Sequence, residues 1–247
     1  MLTNSYIHIP YVGYITEKKI WGAGITSWHS FDPDKLDFPD FRKEHLQKYV
    51  SMSIKALEAS DYTFFSKVLL PHEHWRCLPD MKVAYLDIET TGLDKLHDDI
   101  TIIGVYDGKE TKIFQRGKEF LEFKEYIKQF PMIVTFNGSC FDLPFISSKL
   151  NITFDQLHLD LRFAFSRLGL GGGLKHIETL YGIHRSSETK GMDGFDAVRL
   201  WHRYVHGDNS ALALLKKYNS EDIINLKVLA EKAYESLRHK TLCNISK

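Results

Sequence analysis

Cysteine is scarce in this chain. Cys77, Cys140 and Cys243 are the three among 247 residues, and no pair has CxxC spacing. That excludes a disulfide scaffold and a zinc site built on paired thiolates, and it points to a reducing, cytoplasmic interior. Long apolar runs are missing as well: no stretch approaches the roughly 20 residues that span a bilayer. The first twenty residues carry no basic segment followed by an apolar run, so no membrane anchor or secretory leader is expected. Charge of one sign is also absent, because 32 Lys and Arg balance 32 Asp and Glu. No global basic field therefore advertises nucleic acid, but acidic metal ligands and basic contacts cancel in such a sum, so that class survives.

What is present is ordinary globular composition, 43% hydrophobic and 26% charged. The length suits one large domain, or a small module followed by one of about 150 residues. Residues 1–80 read as short helices ("ITEKKIWGAGI", "DFRKEHLQKYVSMSIKALEAS", "DYTFFSKVLL") separated by Pro33, Pro39, Pro71 and Pro79. At Lys82 the period changes to two: "KVAYLDIE", "ITIIGVYDG" and "TKIFQRG" read as strands, the last two joined by an Asp107-Gly108 hairpin. A helix with an apolar stripe (Phe120, Leu121, Phe123, Ile127, Phe130), a strand "MIVTFN" and a helix "FDLPFISSKL" follow, and after "QLHLDLR" the chain turns helical. This order predicts an α/β fold with a mixed sheet flanked by helices, preceded by a small all-helical module. The expected division is 1–80, 81–237 and a loose tail at 238–247.

Three acidic spacings stand out. In "VAYLDIETTGL" a strand would point Asp87 and Glu89 to one face at its carboxyl end. Taken singly they are solvated turn residues or a costly buried pair that needs a proton or a cation. In "TFNGSCFDLPF", Asn137 and Asp142 follow the next strand, as a turn former and a helix cap or as site residues. In "KKYNSEDIINL", Tyr218 and Asp222 are helical neighbours, although Asn219 also reads as an N-cap with Asp222 as its N3 partner.

Together, D-x-E, N-x3-F-D and Y-x3-D resemble, in order and placement, the three exonuclease motifs of the DEDDy branch of DnaQ-like, RNase H-fold nucleases. The histidine branch would need His at 217, where this chain has Lys217. "HWRCLPDMKVAYLDIETTGL", "GGGLKHIE" and "YNSEDIINL" look like the YprB-like group of RNase H-like exonucleases, and the likeness covers almost the whole chain. The resemblance implies 3′→5′ hydrolysis of phosphodiester bonds at single-stranded DNA or RNA ends. It also implies two Mg²⁺ or Mn²⁺ ions roughly 3.5–4 Å apart. Asp87 would bridge the ions, Glu89 and Asp222 would complete the site of the attacking water, Asp142 would act on the second ion, and Tyr218 would orient the nucleophile. Thr90, Thr91, Gly92 and Leu93 would meet the terminal nucleotide or only end the strand in a turn, and Asn137 would bind the scissile nucleotide or only shape its loop.

Other features are open to two readings. Asp160 in "HLDLR" is a further site acid or a structural hydrogen-bonder. The glycines of "GLGLGGGLKH" lack the spacing of a P-loop and read as a flexible loop, with Lys175 as a phosphate contact. His72 and His74, two apart, read as structural or surface residues and not as metal ligands. "IPYVGYITEKKIWGAGI" resembles the second half of a helix-hairpin-helix, whose backbone N–H groups bind a phosphate. It departs from that pattern with Tyr11 in place of Gly and with room for a very short first helix. A structure-dependent endonuclease and a non-catalytic nucleic-acid-binding protein are the alternative functions. Protein partners are not indicated.

Overall fold

The computed structural model describes residues 1–243, within two compact units. The first comprises residues 1–81 with 155–157 and the described residues from 234 onward. Its elements include α1 (Tyr14–Gly22), α2 (Asp40–Glu58) and α3 (Tyr62–Val68), followed by 3₁₀ turns over Pro71–Asp80. Each start has a local cause: Gly13 is the extended residue before α1, Pro39 precedes α2, and the Asp61 carboxylate accepts from the Phe64 N–H at 3.2 Å. Ahead of Pro10 lies just one 3₁₀ turn, Leu2–Asn4, which matches the short first helix expected there.

This unit is knitted by a buried ionic cluster. The Arg76 guanidinium donates to both Glu17 oxygens at 2.9 and 3.0 Å, to Glu73 at 2.6 Å and to Ser5 Oγ at 3.0 Å. Glu17 also accepts from the Tyr6 and Ile7 N–H groups at 2.7 and 3.1 Å. Such a cluster gains little over apolar packing, yet losing one member would strand the others without solvent.

The second unit comprises residues 82–154 and 158–233. Its strands are β1 (Val83–Thr90), β2 (Ile100–Tyr106) and β3 (Thr111–Gln115), then α4 (Glu119–Tyr126), β4 (Met132–Thr135) and α5 (Asp142–Leu150). β5 (Leu157–Asp160), α6 (Leu161–Arg167), α7 (Leu174–Leu180), α8 (Gly194–Val205) and α9 (Asn209–Cys243) complete the order, with Leu157 and the part of α9 from Tyr234 counted in the first unit. The five-stranded sheet runs β3-β2-β1-β4-β5, with β1–β2 and β2–β3 antiparallel and β1–β4 parallel. It is the mixed, helix-flanked sheet that the pattern predicts, with helices at the N-terminus.

Period two decides what β1 offers each side. Ala84, Leu86 and Ile88 face a core built with Phe123, Ile127, Phe130, Phe145 and Ile146 of the α4 and α5 side. The alternate residues, Asp87 and Glu89 among them, face the side where Ile102 packs on Trp201, Leu215 and Tyr218 of α8 and α9. Gly104 stands opposite Asp87 in the β1–β2 register. An added Cβ there would meet Asn219 Oδ1 at 1.9 Å, so the missing side chain is what lets α9 approach the sheet.

Three details differ from the sequence reading. "LHLD" forms a fifth strand, and residues 238–243, expected in the tail, continue α9. The remaining expected tail, 244–247, lies outside the described residues. Asn219 is ten residues into α9 and caps nothing. Among the described residues, no helix is long and apolar enough to cross a membrane.

Candidate active site

Asp87, Glu89, Asp142, Tyr218 and Asp222 line one cleft of about 510 Å³ in the second unit. β1 delivers the first two at its carboxyl end, α5 delivers Asp142 at its first residue, and one turn of α9 delivers Tyr218 and Asp222. Asp87, Glu89 and Asp222 each offer an oxygen within 4.8 Å of the other two. Asp142 sits beside this triad, its Oδ1 accepting from the Ile88 N–H at 3.1 Å.

Two carboxylates about 4 Å apart repel by roughly 4 kcal/mol at the effective dielectric of a protein. Burial adds to this, and it is the largest influence on all four acids. Asp87 and Glu89 are raised well above the carboxylate range by burial and by the neighbouring acids. Burial pushes Asp142 up to about 7 against the pull of the Ile88 N–H. It pushes Asp222 up to about 6 against the opposing Arg185. The cluster therefore wants positive charge, and an all-oxygen donor set suits a hard divalent cation such as Mg²⁺ or Mn²⁺.

The protein supplies part of that charge itself. Arg185 donates to Asp222, and its guanidinium also grips Glu178 through two hydrogen bonds of 2.8 and 2.6 Å. Asn225 donates to the same Glu178 at 3.0 Å. Lys175 donates to the Tyr218 hydroxyl at 2.6 Å and to the Met192 carbonyl. α7 thus carries two supports: Lys175 braces Tyr218, and Glu178 braces Asp222 through Arg185. On the other side, Asn219 Nδ2 donates to Asp87 Oδ2 at 2.8 Å. Burial and the nearby acids raise the Tyr218 phenol, which keeps its proton. With Lys175 donating to its oxygen, the phenol's own hydrogen is directed elsewhere.

Thr90, Gly92, Leu93, Asn137 and Lys175 also line the cleft. Leu93 is 75% exposed, and Thr90 turns its hydroxyl onto the Gly92 carbonyl at 2.5 Å. Thr91 is not among the lining residues: its hydroxyl accepts from the Asp99 N–H at 2.9 Å and donates to Asp98. Asp160 is outside the lining too. It accepts from the Asn137 and Ser139 N–H groups at 2.8 and 3.0 Å, from Ser139 Oγ at 2.5 Å and from the Arg162 N–H at 3.1 Å. That is the structural alternative for Asp160, a post fixing the loop between β4 and α5. Asn137 takes the left-handed backbone in that loop, φ 67°, and its side-chain oxygen accepts from Arg162 at 2.7 Å. Lys175, read as a phosphate contact, is engaged by Tyr218.

Sequence reasoning missed Arg185, Glu178 and the role of Asn219. The i, i+3 spacing of Lys175 and Glu178 on one face of "LKHIE" was a usable signal. Nothing local marks Arg185.

A family model for the RNase H superfamily matches residues 84–234, which holds every lining residue of the cleft. The chain belongs to the RNase H superfamily. No curated protein matches it in sequence. Among solved structures, the family B DNA polymerase of the hyperthermophilic archaeon Pyrobaculum calidifontis aligns at TM-score 0.52 and 18% identity, over 62% of this chain and 24% of the polymerase. This RNase H superfamily member therefore spans about a quarter of the polymerase's length, and at such identity the likeness concerns the fold. A structure titled as the apo form of a nuclease aligns at TM-score 0.42 and 16% identity, over 65% of this chain and 75% of that one.

Proposed function

We propose that this RNase H superfamily protein is a divalent-metal-dependent nuclease of the DEDDy type, similar to the YprB-like group, that removes nucleotides from the 3′ ends of single-stranded DNA or RNA. The observation that carries the reading is the meeting of Asp87, Glu89 and Asp222 oxygens within 4.8 Å, with Asp142 and Tyr218 in the same cleft. In this reading residues 81–237 are the catalytic domain, residues 1–80 a helical module, and the setting cytoplasmic.

Asp87, Glu89 and Asp222 would hold one divalent ion, Asp87 and Asp142 a second. Bound there, the ions would ease deprotonation of the attacking water and neutralise charge on the leaving oxygen. The protein's own groups do the rest. Asn219 fixes the Asp87 carboxylate, and Arg185 fixes that of Asp222, so the ligands are oriented before any ion arrives. Tyr218 remains protonated and is held by Lys175, so its hydroxyl serves as a hydrogen-bond donor to the water or to a phosphate oxygen, not as a base. Phe136, Phe141, Phe195 and Val198 line the cleft with apolar surface suited to a terminal base, and exposed Leu93 would wedge beside it.

The deciding assay uses purified protein with Mg²⁺, Mn²⁺ or EDTA on single- and double-stranded DNA and RNA labelled at either end, together with circular single strands. Stepwise, metal-dependent shortening from the 3′ end is expected, lost in Asp87→Ala and Asp222→Ala. Cutting of circles would assign endonuclease action instead. Binding without metal-dependent cleavage of any substrate would overturn the enzyme.

A further inference from the structure

The first unit carries an aromatic ring, that of Tyr11, which the fold leaves unburied. Tyr11 sits in the left-handed backbone region at φ 67°, a conformation that costs a side-chain-bearing residue about 1 kcal/mol or more relative to Gly. Its side chain is 91% exposed, so burial returns nothing for that strain. The ring is held in place all the same. Its centroid lies 6.0 Å from that of His45, and His45 Nε2 lies 3.1 Å from the Pro10 carbonyl oxygen, on the same hairpin. His45 in turn packs on Tyr49 at 4.7 Å.

The neighbouring face of α2 has a matching composition. At about 100° per residue, Phe41, Arg42, Lys48 and Tyr49 all fall within about 60° of His45 around the helix. The nearest acids on α2, Glu44 and Asp40, lie about 100° or more away. Phe41 is 74% exposed, and Arg42 is anchored across to α1 by a 3.1 Å hydrogen bond to Thr16. The face therefore presents the open rings of Tyr11 and Phe41, the half-buried rings of His45 and Tyr49, and positive charge with no α2 carboxylate among them. Protein-binding patches share the aromatic surface, but Arg42 and Lys48, with no α2 acid on their face, complement a chain of phosphates.

We propose that Tyr11 and the His45 face of α2 form a stacking platform for unpaired nucleobases of a single-stranded nucleic acid, with Arg42 and Lys48 meeting its phosphates. The choice of ligand rests on the nuclease reading. The contact differs in kind from the backbone-phosphate binding that the hairpin resemblance implies, because it is the exposed ring that carries it.

Tyr11→Gly gives a clean test. It deletes the ring and relieves the backbone strain together, so the variant folds at least as well as the parent. Binding is read by fluorescence anisotropy in EDTA, with labelled oligothymidylate and with an abasic oligonucleotide of equal length. Tyr11→Gly should weaken oligothymidylate binding roughly 5- to 150-fold, the range of one base–aromatic stack, while Tyr11→Phe keeps it. The abasic strand should bind parent and variant alike. Equal oligothymidylate affinity for parent and Tyr11→Gly, or an equal loss on the abasic strand, overturns the platform. So does a parent protein that lacks affinity for oligothymidylate and instead self-associates through Tyr11, read by light scattering. Cleavage of the same strand with Mn²⁺ is scored in parallel. A parent that cuts while Tyr11→Gly binds normally removes the platform alone, whereas ring-dependent binding with no cleavage of any substrate removes the enzyme and keeps the platform.

Discussion

Gly104→Ala should disable the cleft from a position that touches no substrate. The new methyl group would stand 1.9 Å from Asn219 Oδ1 and 3.1 Å from Ile223 Cδ1. Asn219 is fully buried and tied to Asp87 at 2.8 Å, so its amide must swing away or α9 must lift from the sheet. Swinging forfeits the hydrogen bond to Asp87 and leaves a buried amide unpaired, roughly 1–3 kcal/mol. Lifting strains a packed core by roughly 1–3 kcal/mol. Either route predicts a loss of about 1–3 kcal/mol in urea unfolding. Activity should fall further, because Tyr218 and Asp222 ride the same turn of helix, and a shift of about 1 Å at such groups can cost about 10²-fold in rate. The double variant Gly104→Ala/Asn219→Ala supplies the control. Removing the obstructing amide makes room for the methyl, so the pair should be less destabilising than the sum of its parts by at least 1 kcal/mol, roughly twice the scatter of independent sites. Additive stabilities, or a Gly104→Ala protein with parental turnover, would refute the close-approach argument.

Other outcomes follow from the same contacts. In EDTA, the raised carboxyls of Asp142 (about 7) and Asp222 (about 6) bind protons in the folded state that the unfolded chain, with ordinary carboxyls near 4, has already released. Folded protein then holds more protons than unfolded, so stability should fall as pH rises from about 4 to 7, and Asp87→Asn should raise the metal-free stability at pH 7.5, read by thermal melts. Arg185→Met strands Glu178 and Asp222 without their shared cation, for a loss of about 3–5 kcal/mol in denaturant unfolding, and Arg185→Lys should recover part of it. Tyr218→Phe keeps the ring and deletes the donor. It should leave stability within about 1 kcal/mol of the parent while lowering kcat at least 10²-fold in the presence of Mn²⁺.

Much of the sheet was legible because its cause is local. Period two in "KVAYLDIE" places Ala84, Leu86 and Ile88 on one face and Asp87 and Glu89 on the other. Asp107-Gly108 marked the β2–β3 turn, where the Asp107 carboxylate accepts from the Lys109 and Glu110 N–H groups. β5 escaped where the equally short β4 did not, because Met132–Thr135 opens with an unbroken apolar run while Leu157–Asp160 is interrupted by His158 and Asp160 and passes directly into α6. Asn219 invited the wrong local explanation: beside Ser220 and Asp222 it looks like a cap, whereas its partner, Asp87, lies 132 positions earlier. Arg185 and Gly104 were invisible for the same reason. One matters for an ion pair closed across α9, the other for space it leaves vacant, and neither fact resides in the neighbouring letters.

The guanidinium of Arg185 and the ammonium of Lys175 have a consequence for the life of the molecule. A nascent chain assembling this cleft meets one of its four carboxylates already paired, Asp222 with Arg185, and has the Lys175 ammonium beside the rest. Maturation need not wait for an inorganic partner, and departure of one need not unravel the chain. Stripping with a chelator should leave an intact, refillable vessel.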